Sequence, residues 1–159
     1  MNIARSIMSL QLDSFYIMLF ARATPHDYHW ALYHHREQTR GMKWHITNIS
    51  DHWMSKHQST SSATKELLLM GFVRIAHVEP ERAAEVDEIL TSVPYDFEGV
   101  TCRTWVLEGI RRLMYVGIVK CGNLGELESE AKAFGYAQFD DTARNVQPRP
   151  LVDSALCTM

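Results

Sequence analysis

The sequence predicts an α+β fold in which an antiparallel sheet of about four to five strands packs against about three helices. Three observations carry that prediction. Apolar segments rich in aromatic and β-branched residues fill the first half of the chain. Segments with helical spacing follow from Pro80 onward. No internal repeat or low-complexity linker separates the two sets. The 159 residues therefore read as one domain, with a core over about 14–138, a leader over 1–13 and an irregular tail over 140–159.

The first strand is FYIMLFAR, residues 15–22, a dense apolar run closed by Arg22. Pro25 in the ATPHD segment turns the chain, because its ring removes a ladder donor. Residues 28–35 and 42–49 read as the two strands of a hairpin with REQTRG as its loop. Residues 52–57 suggest a short exposed strand, QSTSSAT a polar loop, and residues 66–78 a further strand. A helix is expected over PERAAEVDEILTSV, with Pro80 in its first turn. Another is expected over TCRTWVLEGIRRLMYVGIV, where Thr101 stands as N-cap and Trp105, Val106, Ile110, Leu113 and Met114 share a face. NLGELESEAKAFG, residues 124–136, predicts a third and more exposed helix.

Composition excludes several classes. A net charge of −3 with scattered basic residues gives no electrostatic footprint for nucleic acid. The longest apolar run of the N-terminal region, Phe15 to Ala21, is far short of the ~20 residues of a membrane span. Cys102, Cys121 and Cys157 form an odd set at wide spacing, which predicts neither a disulfide framework nor a zinc site and suits a cytoplasmic protein.

The stretch YHWALYHHREQTRGMKWHI, residues 28–46, holds four of the eight histidines. Strand alternation puts His29, Ala31, Tyr33 and His35 on one face. A turn around residues 36–38 would set His29 directly opposite His45, with Cβ atoms ~5 Å apart. A metal site is not expected, since no HExxH, CxxC or compact His–carboxylate spacing is present. His34 and His35 beside the loop, and His26, His52, His57 and His77, read as ordinary exposed polar residues. His29 and His45 adjoin tryptophans inside strands, where an imidazole needs a partner.

Cys102 falls in the first turn of the most apolar helix, where the positive end of the helix dipole favours a thiolate. Alone it reads as a small buried hydrophobe, and a nucleophile reading needs an imidazole beside it in space.

HWALY, then WHI with its histidine sixteen residues on, then TCRTWV opening a helix, together resemble the circularly permuted papain-like cysteine enzymes. The branch is that of lecithin–retinol acyltransferase within the NlpC-type superfamily. A small fungal tailoring protein on the same scaffold would show the same pattern. The resemblance covers residues 28–115 and implies a permuted papain-like fold, with His29 as general base, His45 orienting it and Cys102 as the acyl-accepting nucleophile. The flanks differ: the family usually has Asn before its cysteine and an acidic residue then His after it, where this chain has Thr101, Arg103 and Thr104.

The reaction expected is hydrolysis or acyl transfer on an amide, ester or thioester, with no cofactor. One alternative is a natural-product cyclase or isomerase in which the histidines move protons and Cys102 only lines the pocket. Another is a non-catalytic binding protein. Trp30, Tyr33, Trp44 and Trp105 are candidate substrate-contacting walls, although burial tendencies fit them equally to the core. Arg103 is a candidate carboxylate binder or a solvated first-turn residue. The partner expected is a small-molecule or acyl substrate, and a homodimer stays open.

Overall fold

A computed structural model describes residues 9–159. Residues 1–8 of the expected leader lie outside the described residues. Strand β1 (Ser14–Ala21) is buried along its whole length and occupies an interior position of a six-stranded sheet. The sheet order is β6-β3-β2-β1-β7-β9, where β2 is Tyr28–Glu37, β3 Arg40–Trp44, β6 Gln58–Thr60, β7 Leu69–His77 and β9 Leu151–Asp153. Two small ribbons complete the strands. One pairs β4 (Ile46–Ile49) with β5 (His52–Ser55), and the other pairs β8 (Lys120–Cys121) with β10 (Cys157–Thr158).

The α+β class holds, with a larger sheet than expected. Part of the QSTSSAT segment, read as a loop, pairs as β6 on β3, and the tail supplies β9, which runs parallel to β7. Helices α1 (Ala83–Thr91), α2 (Cys102–Tyr115) and α3 (Leu124–Ala143) follow the early strands. The third helix runs past residue 136 and absorbs the start of the expected tail.

Alternation divides the sheet's side chains between two clusters. Phe15, Ile17 and Leu19 of β1 join Trp30 and Leu32 of β2 and the apolar stripes of the helices in the main core. Tyr16, Met18 and Phe20 join Ala31 and Tyr33 in a second, smaller cluster on the other face. Helix α2 buries Cys102, Trp105, Val106, Gly109, Ile110 and Leu113, which recur at helical spacing. Its start is fixed by a reciprocal capping box. Thr101 Oγ1 accepts from the Thr104 N–H at 3.1 Å, and Thr104 Oγ1 accepts from the Thr101 N–H at 2.7 Å.

Two cysteine expectations are corrected. Cys121 and Cys157 face each other across the β8–β10 ribbon, with Cα atoms 4.3 Å apart, and form a disulfide. Their separation of 36 residues concealed the pairing, because β10 lies in the segment read as irregular. Cysteine usage therefore no longer argues for a reducing cytoplasm. No helix among the described residues is long and apolar enough to cross a membrane.

Candidate functional site

Arg22, His29, His45 and Cys102 converge at one end of the β1–β2 pair. His29 is the second residue of β2 and pairs with Phe20 of β1. His45 follows the last residue of β3, at the break between β3 and β4, where its carbonyl accepts the Lys56 N–H at 2.8 Å. The hairpin ladder aligns Leu32 with Trp44 and His34 with Met42, and shifts between His35 and Glu37. This corrects the expected register: His45 is offset from the position directly across from His29. A two-residue offset preserves the face, so the rings still meet. His29 Nε2 lies 2.7 Å from His45 Nδ1, with the ring centroids 4.9 Å apart.

The proton positions in this pair follow from Arg22. A guanidinium offers only donors, so Arg22 Nη2, 3.4 Å from His29 Nδ1, donates to it. Neutral His29 then carries its hydrogen on Nε2 and donates to His45 Nδ1. His45 in turn keeps its hydrogen on Nε2, a buried atom with no partner among the described residues. Such an orphan is costly, and Trp44 Nε1 and His34 Nε2 are left in the same way. Burial lowers His29 to about 4, and the charges of Arg22 and Lys43 push in the same direction. Burial also drives His45 well below the ordinary imidazole range, assisted by Lys43, His29, Lys56 and His57. Both rings are neutral near pH 7, and His29 presents a lone pair on Nδ1.

Cys102 is a free thiol, 3% exposed, in the main core cluster at the start of α2. Its Sγ donates to the Tyr28 carbonyl at 3.8 Å and accepts from Arg22 Nη2 at 3.6 Å. Arg22 therefore stands between the thiol and the His29 lone pair and contacts both. The capping box engages the N–H of Thr104, and Trp105 N–H bonds the Thr101 carbonyl. Among the described residues the N–H groups of Cys102 and Arg103 have no acceptor, and they point from the helix N-terminus.

The remaining candidates are placed differently. Trp30, Trp44 and Trp105 are at most 2% exposed and belong to the main core. Trp105 Nε1–H is satisfied by the Val93 carbonyl at 3.2 Å. Tyr33 lies in the second cluster, where its hydroxyl is 2.8 Å from His35 Nδ1 beside a cavity of about 610 Å³ that contains none of the four convergent residues. Arg103 is paired with Glu128 of α3 at 2.7 Å. His34 and His35 are buried and not exposed, because β2 continues to Glu37. Arg36 Nε–H satisfies His34 Nδ1 at 2.9 Å, and the Tyr33 hydroxyl and the Gln38 carbonyl engage His35. Among the described residues no group of three or more His, Cys, Asp or Glu side chains is placed to hold a metal ion.

Arg22 was not singled out in the sequence. The available signal was positional: a guanidinium directly after a fully buried strand and before a proline turn.

The fold and this end of the sheet define an α+β protein with a hydrogen-bonded histidine pair, an arginine and a helix-start cysteine. The chain belongs to the family of unknown function DUF6540, whose model matches residues 15–120 and so spans all four convergent residues. No curated protein matches it, and no solved structure does.

Proposed function

We propose that the protein is a thiol-dependent hydrolase or acyltransferase acting on an ester, thioester or amide. The observation that carries the reading is the run of contacts from Cys102 Sγ through Arg22 to His29 and on to His45. Motif order supports it, since His29, His45 and Cys102 fall in the order of the permuted papain-like pattern that the sequence resembles. The acyl-transfer chemistry needs a thiolate, a base and a group that orients the base.

Each part of the site has a role in that cycle. Arg22 swings from the gap, and His29 Nδ1 takes the Cys102 proton. The thiolate attacks the carbonyl carbon, forming a C–S bond while the π electrons move to oxygen. The N–H groups of Cys102 and Arg103 stabilise that oxyanion. Collapse expels the leaving alcohol, thiol or amine, which takes the proton from His29. Water or an acceptor alcohol or amine then attacks the thioester carbonyl and gives its proton to His29. Collapse breaks the C–S bond and releases the acyl product, and His29 returns the proton to the Cys102 thiolate. His45 accepts the Nε2–H bond throughout and keeps Nδ1 of His29 directed at the thiol.

A second reading is favoured by one specific contact: the resting thiol bonds to Tyr28 and Arg22, and not to an imidazole. In that reading the histidine pair moves protons on a small molecule during cyclisation or isomerisation, and Cys102 is a lining residue.

Intact-mass spectrometry after incubation with a panel of p-nitrophenyl esters and acyl thioesters separates the two. An acyl adduct on Cys102, absent in Cys102→Ala, is the expected result. No adduct from any member of the panel, with a correctly folded chain, would overturn the thiol reading.

A further inference from the structure

We propose that Arg22 is the specificity residue of this site, binding a carboxylate that the substrate carries beside its scissile bond. The inference rests on the thiol reading above and names its substrate class.

Arg22 follows β1 directly, and its side chain is 41% exposed although it reaches the buried Cys102 thiol. Every contact it makes is long: 3.4 Å to His29 Nδ1, 3.6 Å to Cys102 Sγ and 3.5 Å to Asp27 Oδ1. None of these is the short bidentate pairing a guanidinium makes with a committed carboxylate. Its nearest anion, Asp27, is itself 55% exposed and engages through a single oxygen. By contrast, Arg36 and Arg74 hold their aspartates through two nitrogens at 2.8–3.2 Å. Among the described residues Arg22 is thus a guanidinium without a committed counter-ion, poised against the nucleophile candidate.

The surroundings favour an anion there. Lys56 lies close enough to His45 to push that imidazole down, while Lys43 is paired with Glu66, so the positive field here comes from Arg22 and Lys56. The free N–H groups at the start of α2 add to it. A carboxylate that draws Arg22 into a bidentate pair also removes it from between Cys102 and His29. Binding the correct substrate would then assemble the thiol–imidazole contact that the resting protein lacks, which couples recognition to activation.

Iodoacetate and iodoacetamide test this, because they differ mainly in the carboxylate. With each, Cys102 Sγ forms a bond to the methylene, iodide leaves with its electron pair, and the thiol proton passes to His29. The measurement is the ratio of iodoacetate to iodoacetamide rate at Cys102 by peptide mass spectrometry, normalised to glutathione under the same conditions. Wild type should show a ratio about tenfold above glutathione, the effect of one charge-assisted contact. Arg22→Gln should return to within about twofold of glutathione. Arg22→Lys should fall between, since an ammonium keeps the charge but not the fork. Lys120→Gln, a control at an exposed lysine beyond the C-terminal end of α2, should stay near wild type.

A raised ratio that survives Arg22→Gln would overturn the inference. So would a ratio equal to that of glutathione in a chain whose Cys102 is labelled in a His29-dependent way, which leaves the thiol reading intact. Labelling by neither reagent in the folded protein would overturn both.

Discussion

His29 Nε2 and His45 Nδ1 are 2.7 Å apart, although the backbone register does not place their residues directly opposite each other. The contact depends on an acceptor at position 45, since Arg22 leaves His29 with its hydrogen on Nε2. Replacing His45 by Asn keeps an acceptor, and replacing it by Leu removes it. Cys102 alkylation should fall about tenfold or more in His45→Leu and by only a few fold in His45→Asn. Equal losses in the two variants would mean that position 45 does not orient the base.

The same pair sets a pH dependence of stability. Burial lowers His29 and His34 to about 4, and His45 is driven down as well. The unfolded chain protonates these rings near ~6.5. Between those values the unfolded state binds more protons, so the stability they contribute is present above about pH 6.5 and is lost as pH falls toward about 4. Tm should drop by at least about 5 °C between pH 7.5 and pH 5, with a shallower slope in His45→Asn. A flat Tm across that window would contradict neutral, buried imidazoles.

Cys121 and Cys157 close a loop of 36 residues. Chain-entropy arguments assign such a cross-link about 4 kcal/mol. Dithiothreitol, or Cys157→Ala, should therefore lower Tm by about 8–15 °C. The native oxidised protein should titrate one thiol per chain, Cys102. Three thiols in material purified without reductant would refute the pairing.

Gly41 pairs with His35 in the hairpin, and a Cβ there would lie 2.5 Å from the His34 carbonyl oxygen. Backbone cannot rotate out of the way, so Gly41→Ala should destabilise by about 2 kcal/mol. Thermal melts that show no change would mean the hairpin has another register.

Much of this arrangement is legible in the amino-acid sequence. The Phe15–Ala21 run identified β1 because it is short, rich in aromatics and apolar throughout, as a strand covered on both faces is. Thr101 and the stripe of Trp105, Val106, Ile110 and Leu113 located the start of α2 within a residue, while its expected end at Val119 overran the observed end at Tyr115. Pairing between distant segments was not legible, because local patterns carry no information about it. The parallel docking of Leu151–Asp153 on β7 and the meeting of Cys121 with Cys157 are of this kind. At the site, His29, His45 and Cys102 could be singled out by residue type and motif. Arg22 could not, since its position between thiol and imidazole arises only when the end of β1 meets the start of α2.

The central claim is that Cys102 is a nucleophile activated by His29. It is tested most directly by the rate of Cys102 alkylation with iodoacetate, whose carboxylate draws Arg22 from between thiol and imidazole, against pH, in wild type and His29→Gln. Rapid labelling at pH 6 to 7 that collapses in the variant is the result predicted. Labelling no faster than a free thiol of pKa ~8.5, or unchanged by the substitution, would contradict the account.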